Sequence, residues 1–137
     1  MTSIYHVQLN VSPASMPFYK ALLRHLGYTL VREHPDMFGA TNGTTDLWIV
    51  QTDARYARRG FHRKATGVNH LAFRVPSRAD VDRFAQDFLA VHAIPTLYGG
   101  AREYPEYRRG YYAVFFESPD RLKLEIAHIP GYERLSR

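Results

Sequence analysis

The stretch His6-Val7-Gln8-Leu9-Asn10-Val11 returns in the second half of the chain as His70-Leu71-Ala72-Phe73-Arg74-Val75. Each copy places a histidine at the head of a run whose alternate positions are apolar, and each is followed by a helical stretch of similar length. A chain that repeats itself in this way is built from two copies of one supersecondary unit, which constrains the fold more than any single motif. With 137 residues, 45% of them hydrophobic, there is enough apolar material for a compact core without covalent staples. The absence of cysteine excludes disulfides and thiolate ligands.

Both halves read as β-α-β-β-β. In the first, Ile4 to Val11 is a strand, and Pro17 suits the first turn of a helix. The stripe of that helix is Phe18, Leu22 and Leu26, widened by Tyr19 and Leu23, and Gly27 stops it. Tyr28 to Glu33, Met37 to Ala40 and Asp46 to Thr52 follow as strands, with Asn42-Gly43 marking a hairpin. In the second half, Val68 to Val75 is a strand and Ser77 with Asp80 opens a helix carrying Val81, Phe84, Phe88 and Leu89. Ile94 to Tyr98 is a strand, and a Gly-, Tyr- and Arg-rich loop runs to Gly110. Tyr111 to Glu117 and Leu122 to His128 form a closing hairpin. We expect a single domain over 1–137, with module one at 1–53, a connector at 54–66, module two at 67–130 and a tail at 131–137.

Alternation along strands divides side chains between two faces. Val7, Leu9 and Val11 oppose His6, Gln8 and Asn10. Leu71, Phe73 and Val75 oppose His70, Ala72 and Arg74, and Leu124 and Ile126 oppose Lys123, Glu125 and Ala127. The apolar faces suit packing against the helices. The other face carries His6, His70 and Glu125. Facing only water, these residues need no explanation; in a sheet curled into a cup, they converge. Two imidazoles and a carboxylate are a sensible ligand set for a divalent ion such as Zn, Ni, Fe or Mn, with positions left open for substrate.

The net charge of +5 gathers in two loop-like stretches, Arg55 to Lys64 and Arg102 to Arg109. It reads either as a solvated surface or as a rim steering an anionic substrate. No Lys/Arg-rich helix or nucleic-acid motif accompanies it, so no nucleic-acid partner is expected. No apolar run nears the length of a membrane span, and no basic-then-apolar leader opens the chain. The expectation is a soluble cytoplasmic protein without a membrane partner.

The duplication, the paired His6 and His70, the run Gly67-Val68-Asn69-His70-Leu71-Ala72-Phe73 and the tail from Tyr112 to Glu125 together resemble the vicinal oxygen chelate superfamily. This is the group of glyoxalase I, bleomycin-resistance proteins and extradiol dioxygenases. The resemblance covers nearly the whole chain. It implies an α+β fold in which tandem βαβββ modules form a cup-shaped mixed sheet with helices on the outer face. It also implies a divalent metal held by His6, His70 and Glu125, and a homodimer in which the site forms within one chain or across two.

The chain departs from the family pattern in places. Glyoxalase I-like members carry a fourth, acidic ligand on the last strand of the first module. Aligning Leu47 to Gln51 with the tail sets Val50 opposite Glu125, and valine cannot coordinate. Phe115 and Arg121 stand where extradiol dioxygenases carry a tyrosine and a glycine. For the substrate pocket we expect Trp48, Val50, Val114, Phe116, Gln8 and Asn10. Tyr112 is expected to handle a substrate proton and Arg74 to pair with Glu125 or clamp a carboxylate. His62 is a further acid/base candidate, and His128 falls on the helix side. Two functions follow: a metal-dependent enzyme of lyase, isomerase or dioxygenase type, or a module that sequesters a small molecule. Bleomycin-type ligands are cationic, which a chain of this charge disfavours.

Overall fold

The computed structural model describes residues 2–131 and divides into two compact units, Met1–Phe61 and His62–Arg137. The first runs β1 (His6–Val11), α1 (Ser15–His25), β2 (Thr29–His34), β3 (Met37–Thr41) and β4 (Asp46–Gln51). The second runs β5 (His70–Arg74), α2 (Arg78–Phe84), β6 (Thr96–Glu103), β7 (Tyr112–Glu117) and β8 (Lys123–His128). Each is a mixed four-stranded sheet, ordered β1-β4-β3-β2 in one unit and β5-β8-β7-β6 in the other. In both, the first strand runs parallel to the last and the other pairings are antiparallel.

Local chemistry explains the boundaries. Asn42 Oδ1 accepts from the N–H groups of Thr44 and Thr45, and Gly43 sits at φ 84°, closing the β3–β4 hairpin as its Asn-Gly pair predicts. The α1 helix ends in a Schellman pair, with Tyr28 N–H on the Leu23 carbonyl at 2.9 Å and Gly27 N–H on that of Arg24 at 3.0 Å. Gly27 takes φ 88°, where a side chain would be strained.

The second helix ends in the same way, with Ile94 N–H on Leu89 and Ala93 N–H on Ala90, but here Ala93 holds the left-handed position at φ 54°. Its start is capped by Ser77, whose Oγ accepts from Asp80 N–H. The single expected helix is divided: α2 is followed by a π-helical stretch, Ala85–Ala90.

One further expectation is corrected, and the connector gains a structured start. The connector at 54–66 is partly helical, because Asp53 caps a 3₁₀ segment, Ala54–Arg59, by accepting from Arg55 N–H. The loop expected after Tyr98 continues as strand to Glu103, since Tyr98, Gly99 and Gly100 all take positive φ and absorb a bulge between Leu97 and Arg102. Residues 132–137 of the expected tail lie outside the described residues.

Each sheet buries one face beneath its helix. In the first unit the buried set is Leu9, Val11, Phe38, Ala40, Leu47 and Ile49, with Met16, Tyr19, Leu22 and Leu23 of α1. Phe18 and Leu26, expected at the centre of that stripe, are only half-buried. In the second unit Val81, Phe84, Phe88 and Leu89 bury with Val114, Phe116, Leu124 and Ile126. Phe84 stacks on Phe88 at 5.2 Å and meets Phe116 at 5.4 Å. Each such side chain stabilises the fold by about 1.5–3 kcal/mol through apolar burial. The opposite faces carry the polar residues, together in the second unit with Ala113, Phe115 and Ala127, which are buried there with Tyr104.

Candidate functional site

The open face of the second unit is built from three adjacent strands. Pairing sets Ala72 beside Glu125, Arg74 beside Ala127 and Phe115 across from Glu125. Paired residues share a face, so His70, Ala72 and Arg74 stand with Lys123, Glu125 and Ala127, and with Ala113, Phe115 and Glu117. His70 Nε2 lies 3.6 Å from Glu125 Oε2. Glu125 is only 2% exposed, although it is charged, so its oxygens need partners. Its Oε1 accepts the hydroxyl of Tyr111, and burial followed by this bond pushes the Tyr111 phenol above its ordinary range.

The other nitrogen of His70 is also engaged. Nδ1 is 2.8 Å from Asn69 Oδ1, and Asn69 Nδ2 donates to the Arg63 carbonyl at 3.0 Å. Arg63 is anchored in turn by Nη1 on Glu117 Oε2 at 2.7 Å, with Arg121 Nε on the same oxygen at 3.1 Å.

Beside this network stands an aromatic group. Tyr104 stacks on Tyr107 at 5.4 Å and meets Tyr111 and Phe115 edge-on, and the Arg102 guanidinium covers its ring at 3.8 Å. Among the described residues the buried Tyr104 hydroxyl has no hydrogen-bond partner, and burial raises its pKa.

On the open face of the first unit, His6, Gln8 and Asn10 lie beside Asp46, Trp48 and Val50. Gln8 Nε2 donates to Asn10 Oδ1 at 3.0 Å. Trp48 lies over Gly39, so closely that a Cβ there would meet its ring at 3.0 Å. Asn10 and Val50 border an open depression of about 440 Å³ with Asp36, Gln51, Thr52 and Asp53. Of its two carboxylates, Asp53 is committed to Arg55, whose hydrogen bonds hold the acid below its ordinary pKa.

Two expectations about the face are corrected. Tyr112, Val114 and Phe116 belong to the helix-covered side: Val114 and Phe116 are fully buried, and Tyr112 donates to Asp82 Oδ1 at 2.7 Å. The run Tyr-Ala-Val-Phe-Phe is apolar on both faces, so alternation alone has no phase, and pairing of Phe115 with Glu125 supplies it. The counterpart of Glu125 in the first unit is also different from the one expected. His6 pairs with Asp46 and His70 with Lys123, so Trp48 rather than Val50 matches Glu125. A two-residue slip keeps every side chain on its face, which is why the sequence alignment did not reveal it. Tryptophan, like valine, offers no metal donor.

The structure therefore brings His70 and Glu125 together, with Arg74 on the same face. Among the described residues, no three His, Cys, Asp or Glu side chains are grouped to hold a metal ion. His70 and Glu125 nonetheless suit a divalent cation. One offers a neutral nitrogen and the other a charged oxygen, and each has its second donor atom held by a neighbour. The residues that sequence reasoning passed over are Tyr111, Asn69 and Tyr104, and Arg63, read there as part of a basic rim, is instead anchored to Glu117. Only Asn69, immediately before the repeated histidine, carried a signal. Of the basic loop residues, Arg55 and Arg63 are tied into ion pairs with Asp53 and Glu117. No helix of the structure among the described residues is long and apolar enough to cross a membrane.

No family model matches the sequence. The chain is 32% identical over 125 residues to the uncharacterized protein YqjT of Bacillus subtilis, covering 90% of this chain and 96% of that one. Among solved structures it is similar to a candidate glyoxalase from Bacillus halodurans, at 37% identity and a TM-score of 0.78, covering 92% of this chain and 95% of that one. It shares the fold of a lactoylglutathione lyase from Agrobacterium tumefaciens, at 20% identity and a TM-score of 0.66, with 93% and 94% covered. A glyoxalase/bleomycin resistance protein/dioxygenase from Alicyclobacillus acidocaldarius shares it too, at 16% identity and a TM-score of 0.63, covering 99% and 97%.

Proposed function

Since the chain belongs to the vicinal oxygen chelate superfamily, we propose that it is a divalent-metal-dependent, glyoxalase-like enzyme acting on a small, anionic, oxygen-bearing organic substrate. The observation that carries this reading is the approach of His70 Nε2 to Glu125 Oε2 at 3.6 Å. In the neutral imidazole with Nδ1–H turned to Asn69, these atoms are both lone-pair acceptors, so only a cation or a proton between them makes the arrangement favourable. His6 heads the matching strand of the first unit and offers the same kind of donor there. Zn, Ni, Fe or Mn suit such a set. Bound there, the ion would act as a Lewis acid toward a substrate carbonyl or hydroxyl.

The remaining work belongs to this chain's own residues. Glu125 supplies charge compensation in a nearly dry setting, where electrostatic attraction is strong. Arg74 shares the face and suits a substrate carboxylate, which its planar guanidinium can engage through two hydrogen bonds. On the first unit, Gln8, Asn10, Trp48 and Val50 share one face of their sheet and are proposed as a substrate-contacting surface of that unit. Tyr112 is withdrawn from this role by its bond to Asp82 on the other face.

The test is metal content and melting temperature of the purified protein with Zn²⁺, Ni²⁺, Mn²⁺ and Fe²⁺ in turn. Binding at a hundredfold excess over Kd stabilises by about 2.7 kcal/mol. We expect a rise with at least one ion, abolished in His70→Ala and in Glu125→Ala. No uptake and no rise with any ion, alongside binding of small organic anions, would overturn the enzyme reading in favour of a sequestering protein.

A further inference from the structure

We propose that Asn69 is a positioning residue that selects the tautomer of His70, with Arg63 and Glu117 as its anchor. This rests on the reading of His70 and Glu125 as cation donors, and it extends that reading to residues outside the ligand set.

The argument follows from donor and acceptor identities. A backbone carbonyl can only accept, so the Asn69 group 3.0 Å from the Arg63 carbonyl is its NH₂. The amide orientation is thereby set, and the atom 2.8 Å from His70 Nδ1 is the Asn69 oxygen. That oxygen also only accepts, so Nδ1 carries the hydrogen. In the neutral ring the lone pair then belongs to Nε2, the nitrogen 3.6 Å from Glu125 Oε2. The whole assignment depends on where the Arg63 carbonyl stands. Arg63 is fastened to the sheet by its side chain on Glu117, a residue on the open face of β7, at 2.7 Å. Both of these side chains are about four-fifths covered, at 20% and 22% exposure, so the anchor is shielded from water. Arg63 therefore reaches the site as a brace, and its charge is engaged by Glu117.

The experiment uses the full-length protein labelled with ¹⁵N-histidine, without metal, at a pH where imidazole is neutral. The His70 ring nitrogen shifts distinguish the two tautomers directly. The unsubstituted protein should show Nδ1–H. Asn69→Leu, which keeps the size and removes the acceptor, should lose that preference, whereas Asn69→Asp, which keeps an acceptor, should retain it. Arg63→Met should shift the population toward the Leu variant, and Arg63→Lys should restore most of it. Zn²⁺ affinity, read by chelator competition, should fall about 10- to 100-fold in Asn69→Leu, the usual effect of losing a histidine's outer partner. Asn69 is exposed, so its variants should keep the fold, and circular dichroism checks this for them and for the Arg63 variants. Unchanged nitrogen shifts in Asn69→Leu, or equal loss in Asn69→Asp, would overturn the assignment. Failure of the unsubstituted protein to bind Zn²⁺ or another divalent ion would overturn the donor reading of His70 and Glu125, a separate result from the nitrogen shifts.

Discussion

Replacing Tyr111 by phenylalanine deletes one oxygen and tests how Glu125 is held. The ring contacts of Tyr111 with Tyr104 and Tyr107 survive the change, so packing is conserved. What is lost is the hydroxyl donated to Glu125 Oε1, an oxygen on a side chain with 2% exposure that water cannot reach to replace it. A hydrogen bond to a charged acceptor contributes about 1.5–3 kcal/mol, and an unmet buried group costs a similar amount. We therefore expect a loss near 2 kcal/mol. At about 2.1 cal/mol/K of unfolding entropy per residue, 137 residues give about 0.29 kcal/mol/K, so Tm should drop by about 7 °C. Urea unfolding of the metal-free protein measures it, with an unchanged m-value confirming that only stability moved.

A double-mutant cycle with Glu125→Leu isolates the pair. In that background Tyr111→Phe should cost little, because no carboxylate oxygen remains to be satisfied, and the coupling should be about 1.5 kcal/mol or more. A coupling below about 0.5 kcal/mol would refute the argument, since it would mean that Glu125 meets its needs without Tyr111.

Other substitutions probe the scaffold. Ala93→Gly should stabilise the protein by about 0.5–1 kcal/mol, because relief of the left-handed strain at φ 54° outweighs the chain entropy of glycine; a drop in Tm would contradict it. Gly39→Ala should cost about 1–3 kcal/mol, since the new Cβ meets the Trp48 ring and Val31 Cγ2, each at 3.0 Å. The chain has one tryptophan, so its emission should shift as well, and unchanged emission with unchanged stability would show that the approach is loose. The Tyr112 phenol is pushed above its usual value of 10.0, chiefly by its bond to Asp82 and then by burial. A raised folded-state pKa means that this contribution is complete below pH 10 and is lost as pH rises past it. Tyr112→Phe should therefore unfold less steeply in alkali than the unsubstituted protein, and identical alkaline profiles would count against the Asp82 bond.

Much of the architecture was legible because it is written locally. The repeated histidine strands, the Asn42-Gly43 hairpin and the Gly27 stop each act over a few residues, and together they specify β-α-β-β-β twice. The faces of β1, β5 and β8 were legible for the same reason, since polar and apolar residues alternate there without ambiguity. Strand β7 was not, because Tyr112 to Phe116 offers apolar side chains to both sides, and only its pairing with β8 shows which side Glu125 shares. Nor did the sequence reveal the counterpart of Glu125 in the first unit, because a slip by two residues preserves the alternation and register is a property of the paired sheet. Tyr111 and the anchoring of Arg63 became visible only as neighbours: Tyr111 lies fourteen residues from Glu125, and Arg63 lies fifty-four from Glu117. Hydrogen bonds over such separations are decided by where folding sets the strands, and it is these contacts that turn a repeated histidine and a buried glutamate into an oriented pair.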